Sequence, residues 1–363
     1  MNYFPFRRLL TFSETLLRAA GSSHDEATTV ARHLVEANLT GHDSHGIGML
    51  PTYVKHLESG ALVANADLLT VQDQGSFLTF DAQRGYGQRL AREAMVLALE
   101  RCRATGLVYL GVRHAHHLGR IGSYGEQSIA AGLVSLHFVN VVDHRPVVAP
   151  HGGTQARYST NPICFAMAAT PDHPGGILLD MATSKTALGK VRVAMNKGEE
   201  LPPGTLYDGA GQATTDPAVM FTEPFGAITP LGAYKGYGIA LFCELLAGVL
   251  TGGGTIQPGN KRLGGIVNHM SAILIDPQRL VDGHWMRSEI DALVAFMKNT
   301  PPEDSQQPVL IAGEPEALAR QQRSEEGIPV DETTLGQLLE AADAVGLEPR
   351  RAEALLQSDA PPD

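Results

Sequence analysis

Residues 107–122 read Leu107-Val108-Tyr109-Leu110-Gly111-Val112-Arg113-His114-Ala115-His116-His117-Leu118-Gly119-Arg120-Ile121-Gly122. Leu107–Val112 is an apolar run of strand length, and Ile121–Ala131 then takes helical spacing up to Gly132. Working outward, Gln88–Ala104 is an amphipathic helix stopped by Gly106. Phe77–Asp81 alternates like a strand, and Leu133–Val141 is a further strand. Strands alternating with helices predict an α/β sheet. The histidine-rich turn falls between a strand end and a helix start. In α/β sheets that position collects ligands and turns helix N-terminal amides toward them. A plain His-rich loop is the alternative.

The chain has 363 residues, 43% of them hydrophobic, and a net charge of −11. That length supports a sizeable core in two or three units. With no long basic run, nucleic acid and anionic membranes are excluded as partners. Cys102, Cys164 and Cys243 are far apart and odd in number. They predict neither a disulfide framework nor a zinc knuckle, but inert core thiols. Met1–Leu10 has no apolar leader, and the most apolar window, Gly238–Leu250, is too short to span a bilayer. The expected location is cytoplasmic.

Both ends of the chain are helical in pattern. Residues 4–20 form one helix. Ser23 and Glu26 make a capping box that opens a second, which Asn38 closes. Val54–Leu62 forms a short helix, and Glu289–Lys298, Ala317–Arg323 and Thr333–Ala344 follow at the other end. Residues 327–331 read as a linker with Asp331 as N-cap, and 354–363 as frayed. Between the ends, 142–176 reads as irregular, Ile177–Leu179 and Ser271–Ile275 as strands, and Lys235–Leu250 as a helix. The expected division is a helical segment 1–67, an α/β body 68–285, and a helical segment 286–363 packing on the first.

The chain lacks a G-x-G-x-x-G after a strand, a Walker loop, G-x-S-x-G and H-E-x-x-H. It has instead Asp43-Ser44-His45-Gly46 at a helix-to-loop junction, where polar groups can be held rigidly yet exposed. A capped helix end with solvated histidines is the plain alternative. Tyr158-Ser159-Thr160-Asn161-Pro162 carries a turn signal. Leu178-Leu179-Asp180-Met181-Ala182-Thr183-Ser184 places a carboxylate and two hydroxyls after a strand, with Lys190 beyond; Thr183 or Ser184 as an N-cap is the simple reading. A metal-dependent hydrolase or lyase on His42, Asp43, His45, His116 and His117 is open to the same residues, although no standard metal motif accompanies them.

Taken together and in this order, Asp-Ser-His-Gly, His-x-Gly, Thr-Asn-Pro and Leu-Leu-Asp-x-Ala-Thr-Ser resemble the type-2 malate/L-lactate/sulfolactate dehydrogenase family, from Asn38 to about Glu316. Gly41–Pro51 and His116–Gly122 look most like its hydroxycarboxylate dehydrogenase B branch. The resemblance implies a non-Rossmann, mixed-sheet α/β cofactor domain beside a helical domain built from both chain ends. It implies a homodimer using NAD, with NADP possible, and a small 2-oxo or 2-hydroxy acid. A cyclic imino acid reductase of the same fold is the nearest alternative. By the same resemblance His45 is the acid/base residue, Ser44 the hydroxyl beside it, and His117 a second acid/base candidate. Gly119, Arg120, Ile121, Thr160, Asn161, Leu178, Leu179, Asp180, Met181, Ala182, Lys235, Asn268, Gly313, Glu314, Pro315 and Glu316, with His45, fall where the family binds the dinucleotide. The family pattern has an arginine four residues after its histidine, where this chain has Met49. Arg120 is the expected replacement for gripping the substrate carboxylate.

Overall fold

The computed structural model describes residues 2–357. The chain opens with β1 (Asn2–Phe4), α1 (Phe6–Ala19) and α2 (His24–Leu39). The Ser23 hydroxyl accepts from Glu26 N at 3.3 Å, so half of the capping box forms. The Glu26 carboxylate instead accepts from Asn65 N and pairs with Arg89, tying the helix to the body. Two 3₁₀ turns, Asp43–His45 and Ile47–Met49, lead into α3 (Leu50–Glu58).

The body continues through β2 (Leu69–Gln74), β3 (Phe77–Asp81), α4 (Gly87–Thr105), β4 (Leu107–His116), α5 (Gly122–Ala130), β5 (Val134–Val142), β6 (Ile163–Met167) and β7 (Ile177–Met181). After α6 (Leu188–Lys197) come the short strands β8 (Leu206–Tyr207), β9 (Ala213–Thr214) and β10 (Ala227–Ile228). Then α7 (Tyr234–Cys243) runs into a π-helical turn, Glu244–Val249, and β11 (Val267–Ile275) follows. The end comprises α8 (Gly283–Lys298), α9 (Glu314–Glu326), β12 (Ile328–Val330), α10 (Glu332–Ala344) and α11 (Pro349–Gln357).

The main sheet has the order β2-β3-β4-β11-β5-β6-β7. β3 and β4 are parallel and joined by α4; the other neighbours are antiparallel. The late strand β11 sits at the centre, and its near-continuous burial suits a strand covered on both faces. One apolar core lies between this sheet and α4 and α5. A second joins α1, α2, α3, α10, α11 and β12. A third lies under the small sheet β10-β8-β9.

Several expectations need correction. The 327–331 stretch is not a bare linker, since β12 pairs antiparallel with β1 and closes the two chain ends on each other. Asp331 does cap α10, accepting from Thr334 N at 2.8 Å. The 142–176 stretch holds all of β6, whose five residues are too few to stand out among prolines and glycines. β4 does not stop at Val112. It passes a register shift against β11, with His114 at φ 52°, and runs on to His116. Residues 354–357 are the last turn of α11, with Leu356 buried in the helical core; 358–363 lie outside the described residues. All three cysteines are buried and unpaired.

Candidate active site

The turn Asp43–His45 is held by the end of α2. Asn38 Oδ1 accepts from Ile47 N at 2.8 Å, and its Nδ2 donates to Asp43 Oδ1 at 2.7 Å. Glycine is required at position 46, because a Cβ there would stand 2.0 Å from Asn38 Oδ1. Asp43 takes two hydrogen bonds from Arg323 of α9, at 2.7 and 3.0 Å. His42 Nε2 lies 3.2 Å from Glu316 Oε1 on the same helix. Those two side chains fasten α9 to the turn and leave Ser44 and His45 for the site. Ser44 Oγ and His45 Nδ1 are 2.9 Å apart. α6 presses on the turn at Gly189, where a Cβ would meet Ser44 Cβ at 2.5 Å.

The end of β4 delivers the second imidazole. His117 stacks on His45 with ring centroids 5.4 Å apart and planes 23° apart. Its Nδ1 lies 2.7 Å from the Tyr53 hydroxyl, to which Gln88 Nε2 donates at 2.6 Å. Beyond the strand, Leu118 N donates to Asn268 Oδ1 and Arg120 N donates to His33 Nε2, at 2.8 and 2.9 Å. Burial first, then the charges of His42, Lys190 and Arg120, holds the His45 pKa at about 4. Burial, then the neighbouring histidines, takes His117 well below the ordinary range. Both rings are neutral at pH 7.

A cavity of about 270 Å³ opens beside them. Its wall carries Ser44, His45, Gly119, Arg120, Ile121, Thr160, Asp180, Met181 and Ala182, with His42, Lys185 and Lys190. Thr183 joins two of the motifs: its hydroxyl donates to Thr160 O and Asn161 O at 3.0 and 3.1 Å. It is therefore not an N-cap, and neither is Ser184, whose Oγ donates to Thr186 O. Asn161 lies one layer back, donating to Glu244 Oε1 at 2.9 Å and Ala240 O at 3.2 Å. Asn268 is likewise buried behind the wall.

A larger cavity, about 700 Å³, shares Arg120 and is lined by Leu178, Gly313, Glu314 and Glu316. Leu179 and Pro315 are on neither wall, and Lys235 is exposed at the start of α7. The Arg120 side chain, 1% exposed, donates to Glu126 Oε1 at 2.7 Å and lies 3.9 Å from Asp180 Oδ2. Its Nε and Nη2 have no acceptor. The α5 amides are not aimed at a ligand: Gly122 N donates to Asp180 Oδ2 at 2.7 Å, and the next two close on Arg120 O and Ile121 O. Burial raises the Asp180 pKa, against Arg120 and Gly122, which lower it. Met49 packs on the helical core. Among the described residues no three His, Cys, Asp or Glu side chains are grouped to hold a metal.

Tyr53, Gln88 and Lys190 join the site without having been assigned a part in it. The available signal was Gln88, a polar residue in register with the buried Ala91, Ala94 and Met95 of an apolar helix face.

A family model described as malate/L-lactate dehydrogenase matches residues 4–339. Hydroxycarboxylate dehydrogenase B of Escherichia coli strain K12 is 40% identical over 356 residues, covering 98% of this chain and 97% of the relative. An L-lactate dehydrogenase of Cupriavidus necator is 42% identical over 310 residues, covering 85% and 88%. The solved structure of a putative malate/lactate dehydrogenase from E. coli superposes with a TM-score of 0.94 at 39% identity, covering 99% of this chain and all of that one (100%). Over nearly its whole length, then, this chain belongs to the malate/L-lactate dehydrogenase family.

Proposed function

We propose that the chain is an NAD(P)-dependent oxidoreductase that interconverts 2-oxo and 2-hydroxy acids of the hydroxycarboxylate type. The observation that carries this reading is the neutral His45, beside Ser44 on the wall of a cavity that shares Arg120 with a larger one, with the neutral His117 stacked on it. A nicotinamide dinucleotide fits the residues present. The two cavities together reach the upper part of the roughly 300–1,000 Å³ that small-molecule sites span. Arg120 Nε and Nη2 are buried donors without acceptors where the two cavities meet, which suits the carboxylate of a substrate lying beside the dinucleotide. Gly119, Ile121, Thr160 and Asp180–Ala182 would hold one part of it, and Leu178 and Gly313–Glu316 the other. Leu179, Asn161, Asn268, Pro315 and Lys235 would support or flank these. Glu126, Asp172, Glu314 and Glu316 outweigh Arg120 and Arg320 around the larger cavity, so we read NAD(H) in preference to the phosphorylated form.

When bound, the nicotinamide supplies or receives the hydride. His45 gives a proton to the oxo oxygen in one direction and takes it from the hydroxyl in the other. Ser44 orients the imidazole, and His117 donates a hydrogen bond to the same oxygen. Arg120 meets the substrate carboxylate through its two free nitrogens, with Lys190 adding positive charge. Tyr234, Leu241, Phe242, Leu245 and Val249 form an exposed apolar stripe at helical spacing on α7 and its π-helical extension, which suits a homodimer contact.

The test is a panel of aliphatic, dicarboxylic and aromatic 2-oxo acids, with a cyclic imino acid, assayed with NADH and NADPH. Turnover of an oxo acid with a preference for NADH is expected. Turnover of the imino acid alone would make this a reductase of C=N bonds. No binding of either dinucleotide at millimolar concentration overturns the proposal. Arg120→Lys lowers kcat/KM for the oxo acid, and Arg120→Met lowers it further, with little change in NADH affinity. The reverse pattern assigns Arg120 to the cofactor.

A further inference from the structure

Gln88 and Tyr53 form a short, buried polar chain that ends on His117. Gln88 is 1% exposed and Tyr53 0%. Gln88 Nε2 donates to the Tyr53 oxygen at 2.6 Å, and that oxygen lies 2.7 Å from His117 Nδ1. Gln88 Oε1 is enclosed without a partner. Turning the amide over would leave both Nε2 hydrogens enclosed, in place of the bare Oε1 and the one hydrogen left over here, and an enclosed unpaired N–H is the rarer, costlier case. With the Tyr53 oxygen already accepting from Gln88, its single hydrogen has one acceptor within reach, His117 Nδ1. Were His117 Nδ1 to carry the hydrogen instead, the Tyr53 hydroxyl would be buried with nothing to donate to.

We infer that Gln88, acting through Tyr53, is a positioning residue that fixes His117 as the tautomer with its hydrogen on Nε2. The polarity of the chain runs one way: amide to phenol, phenol to Nδ1, and the remaining hydrogen out on Nε2. His117 Nε2 makes no hydrogen bond to another described residue, and its ring stacks on His45 of the cavity wall. A neutral ring in this form presents a donor to the substrate oxygen and cannot accept a proton there. That divides the labour between the stacked rings: His117 polarises the oxygen and His45 exchanges the proton. This rests on the reaction proposed above, but the tautomer itself does not.

The test therefore begins with the unliganded protein. Nitrogen-15 and proton correlation spectra of the labelled imidazoles distinguish protonated from bare ring nitrogens. In the wild type, His117 is expected to show a bare Nδ1 and a protonated Nε2. Gln88→Glu replaces the donor with a carboxylate that only accepts. Tyr53 then turns its hydrogen to the carboxylate, and the His117 hydrogen moves to Nδ1. Tyr53→Phe removes the link and leaves both tautomers populated; it carries the test alone should the buried carboxylate prevent folding. Besides Tyr53, the titratable groups facing His117 are His45, His116, His33 and His144, and neither variant alters these four. Where the reaction is confirmed, kcat/KM for oxo-acid reduction falls about tenfold or more in Gln88→Glu, with NADH affinity unchanged. A wild-type His117 protonated on Nδ1, or variants with the wild-type tautomer, overturn the inference. A chain with no dehydrogenase activity but the expected spectra removes the proposed reaction and leaves the tautomer assignment standing.

Discussion

At pH 7 the His45 imidazole is neutral, because burial holds its pKa at about 4. Hydroxy-acid oxidation needs that neutral base, so its kcat/KM stays flat from about pH 5 to 8. Reduction must collect a proton before the oxo acid reacts, so its kcat/KM falls about tenfold per pH unit over the same range. A reduction profile as flat as the oxidation profile would take the proton-donating role away from His45. His45→Ala lowers kcat by roughly 10²–10⁴ with NADH affinity near wild type; turnover within about threefold of wild type would move the role to His117. The residues named by motif were legible because they are chemically conspicuous. Ser44, His45, Thr160 and Asp180 come from distant stretches yet line one cavity. Tyr53 and Gln88 were not legible as site residues. Each sits on the buried face of a helix, where a tyrosine reads as core and a lone glutamine as an irregularity. Their part follows from two hydrogen bonds that link α3, α4 and the end of β4, pairings no local pattern encodes.

Among elements, α6 and α9 both bear on the Asp43–His45 turn. Gly189→Ala puts a methyl group into Ser44 Cβ, and α6 must withdraw or the turn must shift. Overpacking of this kind costs about 1–3 kcal/mol. The expected outcome is a modestly lowered Tm with a larger loss of kcat, since the displaced group is beside His45. A variant with wild-type kcat would show that the turn yields without moving the imidazole. The elements themselves were legible where periodicity was long, as in α2 and α4. They were not legible where pairing partners were remote. β12 is three residues and forms only because β1, at the other end of the chain, supplies its ladder. β4 outran its apolar pattern because a shift in register lets polar histidines remain in the strand.

Across the whole molecule, histidines are buried in unusual number. Burial is the leading cause that puts the pKa of His33, His137 and His269 at about 3 and that of His45 at about 4, and it also lowers His116 and His117. The unfolded chain protonates these groups below about pH 6.5 and the folded chain does not. Unfolded protein therefore binds more protons between the two values, and stability falls as pH drops through that window. Each group contributes about 1.4 kcal/mol per pH unit there. Tm should decline steeply from about pH 6.5 to 5 and stay nearly level from 7 to 8; a Tm unchanged at pH 5 would show that water or local opening reaches these rings. The helix α9 has a reach beyond stability. Arg323 and Glu316 fasten it to the catalytic turn, while Gly313, Glu314 and Glu316 wall the larger cavity. Whatever fills that cavity leans on the helix that is fastened to His42 and Asp43, next to His45 in the same turn. On the reaction proposed above, the expected consequence is a compulsory queue, dinucleotide first and oxo acid second, checked by product inhibition in which NAD⁺ competes with NADH alone.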